Sequence, residues 1–451
     1  MKWVLYNLLF AVVYPFLLPG FLVRMLRRGG YAARFGDRFA LYPRDLFGAD
    51  RGVFDRHGTF SKSSFVWLHA VSVGEVQVAG QLMREWRQAE PDVRFCFSTT
   101  SSTGWKMAER EVTDRDVLVY NPLDFPNFVK SALLTVRPRA IVLTESEIWP
   151  NFIRSAKKRG IPLFLVNARV SDRSAPRYRL AKWFFKDVFS CFTRIFAQSD
   201  LDKERLVAAG APADRVDVTG SFKFDVARRN PAKEEELRAW IFGDKAEGAG
   251  RTRVLLGGST WPGEDEVLLG TYRRILDQTA RQSDHPPILV LAPRHFEKAD
   301  AVEANIRKYG FACVRRSREV ENSPDRSRLS PSPVYLADTT GELMGLYGLA
   351  DAVFVGKSLC AHGSQNMIEP CLCGKPTFVG PYTENFRPVM SDLLAAQAIV
   401  QVRDAAELEE KVCALFGGTF DGASLGERAS AAVVRRQGVV PMCVQAIRGA
   451  L

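Results

Sequence analysis

Short apolar runs alternate with segments of helical periodicity along almost the whole chain. The first clear run, Phe65-Val66-Trp67-Leu68, passes through His69, Ser72 and Gly74 into Glu75 and a helix-like pattern reaching Trp86. Val93 to Ser98, Val117 to Tyr120, Ala140 to Thr144, Leu163 to Asn167, Ile195 to Gln198 and Val216 to Thr219 read as buried strands. Phe125 to Val136 and Leu201 to Ala209 read as helices between them. Near-continuous apolar strands separated by helices predict a parallel sheet covered on both faces. The charged stretch Ala227 to Gly250 holds Asn230-Pro231 and ends in Gly248-Ala249-Gly250, so it reads as a linker. The alternation then restarts at Val254 to Leu256 and continues through Ile288 to Leu291, Ala312 to Arg315, Val334 to Leu336, Ala352 to Val355, Thr377 to Val379 and Ile399 to Val402. The expected organisation is an N-terminal segment 1–24, a first doubly wound α/β domain 25–226, a linker 227–250 and a second doubly wound domain 251–451, with the active site in a cleft the two domains share. Gly48 to Ser64 and the Arg-, Ser- and Pro-rich Arg315 to Pro333 read as surface loops.

The N-terminal segment breaks the alternation. From Trp3 to Val23 only Asn7 is strongly polar, and Arg24, Arg27, Arg28, Arg34 and Arg38 follow. That pattern predicts an uncleaved membrane anchor with the body on the cytoplasmic side. Pro15 and Pro19 leave open whether it spans the bilayer or lies in the interface.

Composition narrows the partners only so far. With 62 Lys and Arg against 51 Asp and Glu, the formal charge of +11 favours an acidic partner: nucleic acid, anionic lipid or a phosphorylated substrate. The eight cysteines show no paired metal-ligand spacing and read as reduced thiols; neither a metal nor another cofactor is expected. No Gly-x-Gly-x-x-Gly turn follows a strand, which points away from a dinucleotide enzyme.

Polar residues concentrate where strands end. Glu75 opens a helix after the first strand, as a catalytic carboxylate or as a partner of the helix dipole. Glu145 and Glu147 follow Thr144 one residue apart and point the same way if the strand continues. Lys223 sits between apolar neighbours and meets either an anionic substrate or Asp225. In the second half, Gly258 and Ser259 end a strand where amides can approach a phosphate. Pro293-Arg294-His295 sets a forked cation beside an imidazole. Asp338-Thr339-Thr340-Gly341-Glu342 precedes a helical run, where capping and nucleotide binding are equally served. Gly363-Ser364-Gln365-Asn366-Met367-Ile368-Glu369 is a glycine turn entering a helix, able to cradle phosphate on amides while Glu369 accepts from ribose hydroxyls.

Taken in order, the anchor, His69 to Glu75, Thr144 to Asn151, Val166-Asn167-Ala168-Arg169 with Ser174, Gly220 to Asp225, Ala292 to His295, Asp338 to Tyr347, Asn366 to Pro370, and Gly380-Pro381 through Asn385-Phe386 resemble the Kdo (3-deoxy-D-manno-octulosonic acid) transferases of lipopolysaccharide synthesis. The resemblance implies a GT-B fold and an inverting glycosyltransferase with CMP-Kdo as donor and the lipid A precursor lipid IVA as acceptor. It also implies work at the cytoplasmic face of the inner membrane and no nucleic-acid partner. It makes Glu75 the catalytic base and Glu145 and Lys223 groups that support the transition state. Pro293, Arg294, Thr340, Gly341, Glu342, Asn366, Met367, Ile368 and Glu369 become donor contacts. Where the family has Gly-Gly-His-Asn this chain has Gly363-Ser364-Gln365-Asn366, and glutamine cannot carry histidine's charge. A nucleotide-sugar epimerase and a non-catalytic lipid- or nucleic-acid-binding protein are the alternatives from other classes.

Overall fold

The computed structural model describes residues 2–28, 32–43, 46–47, 65–226, 231–243, 252–279, 285–319 and 332–451. The chain forms two compact units, Met1–Val226 with Gln437–Leu451, and Ala227–Arg436.

The first unit holds a seven-stranded, all-parallel sheet: β1 (Phe65–His69), β2 (Arg94–Thr99), β3 (Val117–Tyr120), β4 (Ala140–Thr144), β5 (Leu163–Ala168), β6 (Arg194–Ala197) and β7 (Val216–Val218). Its order is β3-β2-β1-β4-β5-β6-β7. The strands read correctly from their apolar runs because β1 and β4 are buried at every position, against helices on both faces. The order reverses between β1 and β4, so the loops after these two strands flank the point where doubly wound sheets bind ligands.

The second unit repeats the plan with β8 (Val254–Thr260), β9 (Ile288–Pro293), β10 (Cys313–Arg315), β11 (Val334–Leu336), β12 (Ala352–Val355), β13 (Thr377–Val379) and β14 (Val400–Gln401), ordered β10-β11-β9-β8-β12-β13-β14. Its reversal lies between β8 and β12. All eight cysteines are free thiols.

The structure redraws three features. The stretch assigned to the linker contains the helix Pro231–Phe242, whose Leu237, Trp240 and Ile241 are buried within the second unit. The last helix, Val439–Gly449, belongs to the first unit: Asp225 accepts from the amides of Gly438 (2.7 Å) and Val440 (2.6 Å), and Val440 and Val444 pack in the core beside Val76 and Phe222. Of the two expected loops, Gly48 to Ser64 lies outside the described residues, as do 320–331. Arg315, by contrast, closes β10, and Arg316 to Glu319 form a helical turn.

The N-terminal segment is a helix, Lys2–Arg28. One face docks on the first unit through aromatic residues at helical spacing. Trp3 and Tyr6 meet Phe184, Phe10 and Tyr14 meet Phe125, and Tyr6 donates to Asp124 at 2.9 Å. Asn7, the polar exception in the apolar run, accepts from Asn151 Nδ2 at 2.7 Å. The opposite face leaves Val4, Leu5, Leu8, Leu9, Val12 and Phe16 exposed, from 54% to 80%. Among the described residues, no helix is long and apolar enough to cross a membrane.

Candidate active site

Segments that follow β1, β4 and β7 of the first sheet bring together three of the residues singled out from sequence, Glu75, Glu145 and Lys223. Ser72 caps the helix Val73–Ala89: its hydroxyl accepts from the Glu75 amide (3.2 Å) and donates to Glu75 Oε1 (2.8 Å). Glu75 Oε2 accepts from the Val71 amide at 3.0 Å and from the Thr144 hydroxyl at 3.2 Å. The capping hydrogen bonds do not hold Glu75 away from the sheet, because the same carboxylate that closes the helix start also reaches the end of β4.

Glu145 leaves β4 in the left-handed region, at φ +50°. That turn ends the strand geometry, so Glu145 and Glu147 do not share a direction as their spacing predicts. Glu147 accepts from Trp149 Nε1 at 3.0 Å and lies 3.5 Å from Nε2 of the buried His69. Glu145 instead meets Arg169, whose Nε is 2.8 Å from its Oε2, and Asn167, whose amide donates to Oε1 at 3.3 Å. Burial raises the Glu145 carboxyl above its ordinary range; Arg169 and Lys223 pull it back, while Glu75 adds to the rise. Burial lowers Lys223, and Glu145 opposes that shift. Lys223 faces this cluster, while Asp225 is committed to the C-terminal helix. Glu75, Glu145 and Lys223 thus lie in one electrostatic group, with Arg169 as a fourth member that sequence reading quoted without a role. Asn167 orders the group further. It is fully buried at φ +52°, and its Oδ1 accepts from the Phe222 amide at 3.1 Å, bringing the segment before Lys223 up to β5. An asparagine before Ala-Arg at a strand end was the available signal, since Asn tolerates the left-handed turn.

In the second unit the predicted contacts separate into two kinds. Arg294, exposed after β9, lies close enough to Glu369 to draw down a carboxyl that burial raises. Asn366 Nδ2 donates to Glu369 at 3.0 Å. His295 stands edge-on to Trp261, and together with Pro293 and Thr260 they line a cavity of about 240 Å³. Thr340 and Gly341 are exposed.

The others are committed internally. Glu342 is buried and bound by Thr339, Arg316 (3.2 Å) and Lys233 (3.0 Å). Burial raises its carboxyl, and these partners outweigh that and hold it below the usual range. Its oxygens join the Pro231–Phe242 helix to the turn after β10, which is a structural duty. Met367 and Ile368 are fully buried, so neither offers a side chain to a ligand. A side chain at Gly258 would strike the Tyr347 ring, and Gly258 and Ser259 both lie inside the buried β8, so the small residues there serve packing rather than an open amide cradle. Another buried carboxylate was missed altogether. Glu264 accepts from the amides of Trp261, Lys357, Ser358 and Leu359 (2.8 to 3.0 Å) and fills the nest at the end of β12 with the protein's own anion.

Residues 33–226 match the family model of 3-deoxy-D-manno-octulosonic-acid transferase (Kdo transferase). A 3-deoxy-D-manno-octulosonic acid transferase of Haemophilus influenzae is 29% identical over 440 residues, 96% of this chain and 95% of that protein. Another, of Bordetella pertussis, is 35% identical over 354 residues, 75% of this chain and 76% of its own. Among solved structures, Anabaena Alr3699/HepE in complex with UDP matches 86% of this chain and 100% of its own with a TM-score of 0.54 at 14% identity, a likeness of fold alone.

Proposed function

The chain belongs to the 3-deoxy-D-manno-octulosonic acid (Kdo) transferase family and is a glycosyltransferase that transfers Kdo; from that premise we propose that it takes Kdo from CMP-Kdo and attaches it, with inversion, to the lipid A precursor lipid IVA at the cytoplasmic face of the inner membrane. The observation that carries this reading is the group formed by Glu75, Glu145, Lys223 and Arg169 at the reversal of the first sheet. Glu75 is the general base. Three donors orient its oxygens, and a carboxylate offers about four acceptor sites, so capacity remains for an acceptor hydroxyl. As that hydroxyl's proton passes to Glu75, its oxygen bonds to the anomeric carbon. The bond from that carbon to the phosphate oxygen breaks, and its electron pair leaves with CMP. Lys223 and Arg169 keep the surroundings of the two carboxylates from becoming repulsive to an anionic donor. Arg294, with Asn366 and Glu369 opposite, takes the nucleotide: the guanidinium for the phosphate, the carboxylate for ribose hydroxyls.

The docked N-terminal helix supports membrane work in a particular way. Its aromatic face is satisfied by the protein and its aliphatic face is not, which suits a helix lying in the interface of an anionic bilayer rather than crossing it.

The test is direct turnover. Purified protein, synthetic CMP-Kdo and tetraacylated lipid acceptor are incubated and the product mass is read. A gain of Kdo on the lipid is expected; CMP release with no change in lipid mass overturns the acceptor assignment.

A further inference from the structure

We propose that Lys357 binds the carboxylate of the donor sugar and so selects a keto-acid donor; this rests on the CMP-Kdo reading above. Lys357 follows β12 and Trp261 follows β8, the two strands between which the second sheet reverses. The Lys357 ammonium stands over the Trp261 ring, 4.9 Å from its centre. Among the described residues no carboxylate pairs with it. A cation held on an indole face at a switch point, with no anion of its own, is poised for an incoming one.

The backbone is arranged to keep it there. Lys357 has φ +59°, a conformation that a side-chain-bearing residue rarely adopts. Three contacts enforce it: the Lys357 amide donates to Glu264 (2.8 Å), its carbonyl accepts from Ser364 (2.7 Å), and the preceding Gly356 amide donates to Gly258 (2.8 Å). Gly356 also lies so close to Ser259 that a Cβ would fall 2.2 Å from its carbonyl oxygen. Ser364 is left-handed as well, at φ +61°. Strain that the surroundings over-determine is characteristic of working positions. A glycine at 357 would relieve it while removing the side chain, ammonium included.

The chemistry chooses the ligand. An ulosonic acid linked to phosphate carries two anionic groups on one carbon, the phosphate and the carboxylate. In the sheet order β9-β8-β12, Arg294 lies on one side of the β8 end and Lys357 on the other, two strand spacings apart or roughly 10 Å at the backbone. Long side chains from these positions can converge on neighbouring anions. With Arg294 beside Glu369 on the nucleotide side, Lys357 is left for the carboxylate.

The experiment compares wild type with Lys357→Met, Lys357→Gly and Lys357→Arg, measuring CMP affinity by calorimetry and steady-state constants with CMP-Kdo. Calorimetric Kd for CMP within about twofold in all four, with the donor KM raised roughly 10- to 100-fold in the Met and Gly variants and largely restored by Arg, supports the contact. Lys357→Gly guards against misfolding, since glycine accepts the left-handed turn. A wild-type donor KM in Lys357→Met overturns the proposal. So does a fall in CMP affinity parallel to the KM change, which would give the ammonium to the phosphate. Wild type that binds CMP but never turns over CMP-Kdo would overturn the donor reading, and this contact with it, before any variant is compared.

Discussion

Arg169 Nε lies 2.8 Å from Glu145 Oε2, joining the ends of β5 and β4 at the edge of the candidate active site. The pair holds a buried carboxylate next to the Glu75 carboxylate, and without the guanidinium two negative groups would share the site with Lys223 alone to offset them.

Removing that guanidinium has a signed consequence. Burial already raises Glu145, and Arg169 opposes it, so Arg169→Ala raises the carboxyl further and disfavours its ionised form. Turnover is expected to fall about 10- to 100-fold, with the acidic limb of kcat moving to higher pH and Arg169→Lys recovering part of it. A pH profile that does not move between wild type and Arg169→Ala would show that Glu145 need not be ionised.

Glu75→Gln keeps the shape of the side chain while removing the base. The expected loss is about 100-fold or more in kcat, with CMP affinity intact because the proposed nucleotide contacts lie in the other unit. Single-turnover assays and calorimetry on the folded variant make the comparison. Near-normal turnover would transfer the role of base to Glu145.

Arg294 and Glu342 were both expected to touch the donor, and the structure separates them. Arg294→Ala should weaken CMP binding about 10- to 100-fold with little change in stability, as loss of a charge-assisted hydrogen bond does. Glu342→Gln should do the reverse. It takes from Arg316, whose side chain is only 10% exposed, one of its two carboxylate partners, Glu236 being the other, and should cost about 1 to 3 kcal/mol, leaving CMP affinity per folded molecule unchanged. Denaturant midpoints and calorimetry on both variants distinguish the two roles.

Asp124 predicts a pH dependence of stability. Burial pushes its carboxyl up to about 7, against the pull of the Asn151 and Phe152 amides and the Tyr6 hydroxyl. The native state therefore keeps a proton that the unfolded chain gives up in the ordinary carboxylate range. The stabilising contribution is full below about pH 4 and is lost as pH rises through about 7, at most roughly 4 kcal/mol. Urea midpoints from pH 5 to 8 should fall in wild type more steeply than in Asp124→Asn. Equal slopes would mean that the amide donors win over burial.

The N-terminal helix offers two faces for separate test. Leu8→Ser with Val12→Ser changes only exposed positions and should reduce binding to anionic vesicles without moving the unfolding midpoint. Tyr6→Ala removes a contact with Asp124 and Phe184 and should lower the midpoint. Vesicle binding unchanged by the serine pair would remove the aliphatic face as the membrane contact.

Local pattern carried the strands, because the apolar runs of central strands such as β1 and β4 are buried by helices from both sides, and burial on that scale is written in consecutive residues. It also marked Glu75, Glu145, Lys223, Arg294 and Glu369, since polar residues at the ends of apolar strands have few other reasons to be there. What it could not supply was partnership. Glu75 and Thr144 lie 69 residues apart in the chain and meet at one carboxylate oxygen. Glu342 carries the same sequence signature as a ligand contact, yet Lys233 and Arg316 saturate it from elsewhere in the chain. The N-terminal run reads as uniformly apolar, and only docking against Phe125 and Phe184 divides it into a satisfied face and an exposed one. The sequence determined which runs form the buried strands and which residues are polar at their ends; the tertiary structure decided what each polar group faces, because side-chain electrostatics depends on neighbours that only the folded sheet brings within a few ångströms.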